Sequence, residues 1–158
     1  MLASLSPPSP QWGTPLPTES SDLANLKAVV PICGIYSFTA LRDAHPEVRE
    51  VYETFTSAAF GPEEEGGWGR GDLIGFFGGG GGVRVGVEVV LGGSRGDEAV
   101  EWGQVGGLVA VMGEGAVGVV QCEGGHEEVV DGGVMVPRCV GVAVGRLRGL
   151  GGGDCSVG

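Results

Sequence analysis

Valine-rich runs separated by amphipathic stretches organise this chain. From Leu26 to Ile32 the residues LKAVVPI are mostly apolar, the pattern of a buried parallel strand, and Pro31 suits only its C-terminal end. Val83, Val85, Val87 and Val89 alternate cleanly before Leu91, which predicts a second strand. Ala116 to Cys122 predicts a third. Between and after these runs the period changes to that of a helix. Thr39 to His45 fits one or two turns, and Pro46 suits a first helical position with Glu47 and Glu50 near the positive helix end. Val48, Val51, Tyr52, Phe55 and Ala59 then recur at helical spacing until Gly61-Pro62 stops the helix. Asp97 to Met112 predicts another helix, with Val100, Val105, Leu108, Val109 and Met112 on one side. Pro137 opens a last one, with Val140, Val144, Leu147 and Leu150 inward.

Strands alternating with helices in this order predict an α/β fold: about three parallel strands with crossover helices. Composition sharpens the boundaries. The 158 residues include 34 glycines and 9 prolines, a load close to that of low-complexity chains, yet 42% are hydrophobic, enough to bury a core. The excess falls mainly outside the periodic segments. Residues 1–25 are rich in Ser, Pro and Thr and predict a disordered leader. Residues 62–82 (PEEEGGWGRGDLIGFFGGGGG) predict a long loop, and 151–158 a loose tail. The domain itself then spans residues 26–150.

A net charge of −11 argues against nucleic acid or an anionic membrane surface as a partner. No apolar run approaches the ~18 residues of a transmembrane helix. The start, MLASLSPPSPQW, lacks the basic and apolar regions of a secretory signal. Cys33, Cys122, Cys139 and Cys155 form no CxxC pair, so free thiols in a reducing, cytoplasmic compartment are expected.

In open α/β sheets, functional groups gather beyond the C-terminal ends of strands. Asp97 follows the second strand, and His126, in a short loop after Gly124-Gly125, follows the third. A carboxylate so placed can hold an imidazole in one tautomer, the supporting half of a Ser-His-acid triad. The plainer alternative makes Asp97 a helix cap and His126 a solvated loop residue. Ser94 lies in Gly92-Gly93-Ser94-Arg95-Gly96, a formal G-x-S-x-G elbow, but only one strand remains after it to carry both acid and base. Cys122 and His126 have a metal-like C-x3-H spacing without a second ligand pair, so no metal and no cofactor is expected. Gly78–Gly82 lacks the Lys-Ser/Thr of a phosphate-binding loop. Glu63–Glu65 suits a solvated face, and His45, before Pro46, a cap or surface position.

The segments AVVPICGIYSFTALRDAHPEVREVYETFTSAAFGP, VVLGGSRGDEAVEWGQV and CEGGHEEVV, in that order, resemble the C-terminal half of fungal kynurenine formamidases. The resemblance spans about residues 26–150 and rests on the G-I-Y, S-x-x-D-E and G-G-H-E segments. It implies an α/β-hydrolase that cleaves N-formyl-kynurenine, a small-molecule substrate, to kynurenine and formate. Asp97 then matches the triad acid, His126 the base, and Ser94 belongs to the acid loop. The family's oxyanion motif (H-G-G-x-W) and its elbow (G-H-S-A-G) are not in this sequence, so the nucleophile is expected to come from missing sequence. The alternative is a non-catalytic remnant or interaction module. In either case a three-strand sheet exposes an edge and an apolar face, which predicts homodimerisation or aggregation.

Overall fold

The computed structural model describes residues 25–80, 86–131 and 133–149. The expected leader, apart from Asn25, and the expected tail lie outside these residues, as do Val83 and Val85. Strands β1 (Ala28–Val29), β2 (Glu88–Ser94) and β3 (Val117–Cys122) form one parallel sheet in the order β1-β2-β3. In register, Val29 faces Val89, which faces Val117, and Ser94 faces Cys122. The α/β class expected from the alternating pattern is the observed one.

Pro31 shortens β1. The ladder continues past it, with Gly92 N–H donating to Pro31 O and Cys33 N–H to Gly92 O, both at 2.9 Å. Proline has no N–H, so its own rung is missing, and only an isolated bridge at Ile32–Gly92 follows. β2 starts at Glu88 and runs through Gly92-Gly93-Ser94, the first three residues of the formal elbow motif. Glycine suits this strand because helices press on both faces. A Cβ at Gly92 would sit 2.8 Å from Cys139 Sγ, and one at Gly93 3.2 Å from Val105 Cγ2.

Helix α1 (Phe38–Ala44) is capped by Ser37 Oγ, which accepts from Ala40 N–H at 3.3 Å. A 3-10 turn at Pro46–Val48 leads into α2 (Arg49–Phe60), which ends at Gly61 as expected. Of the segment expected as a loop over 62–82, the described residues 62–80 have their own structure. Two 3-10 turns (Glu63–Glu65 and Trp68–Arg70) precede α3 (Leu73–Gly78), capped by Asp72. Trp68 and Phe77 are buried, so aromatic anchors order a stretch whose glycines hide them.

Helix α4 (Gly103–Met112) begins six residues later than expected, because the Asp97 carboxylate caps a local turn instead of a helix. The short helix α5 (His126–Asp131) replaces the loop expected around His126. The last helix, α6 (Met135–Leu147), carries Pro137 in its first turn.

Two apolar layers enclose the sheet. Val89, Leu91 and Val117 pack with Tyr36, Phe77, Val105 and Leu108 on one face. Val90, Val120 and Cys122 pack with Val129, Met135, Cys139 and Ala143 on the other. The inward face of α6 is therefore Met135, Cys139 and Ala143. Val140, Val144 and Leu147, expected inward, are 46%, 38% and 44% exposed; Leu150 is outside the described residues. The sheet glycines explain the rotation. Gly92 and Gly118 let α6 approach closely, and the residues that fit over them are slim or flexible: Cys139 and Met135 over Gly92, Val142 and the Arg146 stem over Gly118. Among the described residues, no helix is long and apolar enough to cross a membrane.

Candidate active site

All three strands deliver a chemically capable residue at the same edge. Cys33 follows the Ile32 bridge beyond β1, Asp97 follows β2 by three residues, and His126 follows β3 by four. The edge is the C-terminal one, where parallel sheets place their functional groups.

Asp97 is the centre of the arrangement. Its Oδ1 accepts N–H groups from Ala99 at 2.9 Å and Val100 at 2.8 Å. Its Oδ2 lies 2.9 Å from His126 Nδ1. The side chain is only 1% exposed, against 33% for His126. Burial pushes the Asp97 carboxyl up, but hydrogen bonds from Val100, His126, Cys33 and Ala99 outweigh it and hold the group below its ordinary value. A carboxylate only accepts, so Nδ1 is the donor and the neutral ring carries its lone pair on Nε2. Asp97 thus both caps its own turn and orients the imidazole.

Three contacts fix the loop that carries His126. Gly124 has φ 109°, a conformation suited to glycine. Gly125 N–H donates to Glu128 Oε2 at 3.0 Å, and His126 N–H to Glu98 Oε2 at 3.1 Å. Ser94 Oγ donates to Gly124 O at 2.6 Å and accepts from Gly96 N–H at 3.0 Å. Ser94 is 1% exposed, and no hydrogen bond joins it to His126. Its single proton is committed to a carbonyl. Ser94 therefore ties the acid loop to the base loop.

Cys33 is the residue that sequence reasoning passed over. It has φ 45°, the left-handed region that side chains rarely adopt. Strain of this kind concentrates at functional sites. Burial, with a hydrogen bond to Asp97 and the charge of that carboxylate, pushes its thiol up to about 12. The thiol thus keeps its proton beside Asp97, and one sulfur, one carboxylate oxygen and one imidazole nitrogen all lie within 4.8 Å of one another. The signal was its place, immediately after the first strand at the edge shared by Asp97 and His126.

The other candidates sit elsewhere. Cys122 Sγ contacts Met135 Sδ at 3.5 Å and Arg138 Nη1 at 3.2 Å, so the C-x3-H spacing does not bring it to His126. His45 caps α1 and lies 3.4 Å from both Glu47 and Glu101. Glu63 pairs with Arg42.

Chemically, the Asp97–His126 pair can take a proton at Nε2 and return it. Among the described residues, no serine or threonine hydroxyl hydrogen-bonds His126. No protein-family model, curated protein or solved structure matches this chain.

Proposed function

We propose that Asp97 and His126 are the acid and base of a cytoplasmic hydrolase of the kynurenine-formamidase type. The observation that carries it is the 2.9 Å contact between a buried, ionised carboxylate and a part-exposed imidazole across neighbouring strand ends. In this reading N-formyl-kynurenine is the substrate, and a serine supplied by another segment is the nucleophile. His126 Nε2 takes the hydroxyl proton as the oxygen attacks the formyl carbon. The tetrahedral intermediate collapses as His126 passes that proton to the departing aniline nitrogen, releasing kynurenine. Water, deprotonated by His126 Nε2, then attacks the formyl ester, and His126 returns that proton to the serine oxygen as the ester bond breaks and formate leaves. Asp97 keeps Nδ1 protonated throughout and stabilises the imidazolium.

A second reading, a non-catalytic interaction module, draws on the apolar stripe Val136, Val140, Val144 and Leu147, which faces outward along α6. Formate release separates the two. The folded chain is assayed with N-formyl-kynurenine, alone and together with the N-terminal half of a fungal kynurenine formamidase bearing its G-H-S-A-G elbow. The hydrolase reading expects turnover with the added half and its loss in His126→Ala. Absence of turnover in both assays favours the interaction module.

A further inference from the structure

We propose that Cys33, Asp97 and His126 form a binding site for a divalent transition metal of the zinc class. The proposal goes beyond the hydrolase reading and does not rest on it. It stands on the convergence of three different ligand types, one from the exit of each strand, whose donor atoms all lie within 4.8 Å of one another.

The geometry is close to what a tetrahedral ion requires. Bonds of about 2.0–2.3 Å to sulfur, nitrogen and oxygen put neighbouring donors roughly 3.3–3.7 Å apart. The Asp97–His126 contact, now 2.9 Å, has to open slightly, and any wider pair has to close by about 1 Å. Two of the three groups have room to adjust. His126 is one-third exposed and follows two glycines, and Cys33 is half-buried. Asp97 is the fixed member: Oδ1 stays with the Ala99 and Val100 amides while Oδ2 is presented to the cation. Such second contacts orient a metal-binding carboxylate. The exposed side of His126 leaves a fourth position open to water.

The donor set selects the ion. A thiolate and an imidazole favour zinc or cobalt over the oxygen-seeking magnesium and calcium. The surroundings favour a cation as well: Glu98 and Glu128 hold the same loop, in a chain of net charge −11. On binding, the sulfur–metal bond replaces the Cys33 S–H bond and that proton leaves to solvent, while the Nδ1 proton of His126 moves through solvent to Nε2 and frees the Nδ1 lone pair for the cation; no oxidation state changes. A cation held here separates Asp97 from His126, so the occupied protein has no acid–base pair.

Cobalt titration of the full chain, stripped with chelator, tests the site directly. One equivalent is expected to give a thiolate-to-cobalt charge-transfer band and the intense visible bands of four-coordinate cobalt, both removed by added zinc. Cys33→Ser abolishes the charge-transfer band, His126→Ala weakens binding about tenfold or more, and Cys155→Ser changes neither. A band that survives in Cys33→Ser, or no stoichiometric uptake by folded wild-type chain, overturns the proposal. A second measurement avoids dependence on variants that fold poorly. In the wild-type chain, one equivalent of zinc should slow alkylation of Cys33 about tenfold or more while magnesium does not; equal rates with and without zinc overturn it. Neither readout involves formate release, so the site and the hydrolase reading fail separately.

Discussion

Asp97 Oδ2 lies 2.9 Å from His126 Nδ1 although 29 positions separate the two residues. The sheet makes this contact: β2 and β3 run parallel in register, with Ser94 opposite Cys122, so the residues that follow them emerge side by side. One consequence concerns the ring itself. In the metal-free chain, neutral His126 is expected to be protonated at Nδ1, against the usual preference for Nε2. Nitrogen-15 chemical shifts of the neutral ring check this. Asp97→Asn should shift the population toward the Nε2–H form; an unchanged tautomer in that variant would mean that Asp97 does not orient the ring.

Ser94 holds the base loop to the acid loop through Gly124 O and Gly96 N–H. Ser94→Ala leaves those two groups short of a partner and should cost about 1–3 kcal/mol, measured by urea unfolding. Hydrolysis with the added N-terminal half should fall but persist. Complete loss of turnover in a folded variant would instead make Ser94 the nucleophile.

Close approach of α6 to the sheet depends on Gly92. The Cβ of Gly92→Ala would meet Cys139 Sγ at 2.8 Å, Met135 Sδ at 3.0 Å and Ile32 Cγ1 at 3.3 Å. Overpacking of this kind costs about 1–3 kcal/mol. Adding Cys139→Ala removes the nearest obstacle, so the double variant should show a favourable coupling of at least about 0.5 kcal/mol. Strict additivity of the two unfolding free energies would contradict the packing described.

Alkaline stability reads the same contact. Burial, reinforced by the Cys122 thiol and only partly offset by Arg138, pushes the Cys139 thiol up to about 11 from 9.0. The folded state therefore holds its proton more tightly than the unfolded chain does. This contribution is fully present below pH 9 and is lost as the pH rises through about 11. The loss should amount to roughly 3 kcal/mol, followed by denaturant unfolding at successive pH values with chelator present. Cys139→Ala should flatten the decline. Cys33 and Tyr36 are shifted in the same direction, so the decline persists at reduced slope.

The legible parts of this molecule are those that local pattern determines. Parallel strands buried on both faces require apolar runs, and β2 shows one plainly in Val89, Val90 and Leu91. The positions of Asp97 and His126 just beyond two such runs place them at one edge from the sequence alone. What local pattern concealed was set by tertiary packing. Hydrophobicity on α6 points to Val140 and Val144, yet the glycines of β2 and β3 seat Cys139 and Met135 over Gly92 and Val142 and the Arg146 stem over Gly118. The glycines of 62–80 masked the burial of Trp68 and Phe77. A single cysteine reads as a small apolar residue, and nothing local announces that Cys33 adopts φ 45° and turns its thiol to Asp97.

The proposed hydrolysis requires Asp97 and His126 to work as one acid–base pair on a formyl amide. Formate release from N-formyl-kynurenine, with the added N-terminal half and a chelator to keep the pair free, measures this most directly. Wild-type chain should turn over, His126→Ala should show no turnover above the uncatalysed rate, and Asp97→Asn should be slower by up to about 10⁴-fold, as expected when a triad imidazole is held in the wrong tautomer. Equal rates for all three proteins, or no turnover from the folded wild-type complex, would contradict it.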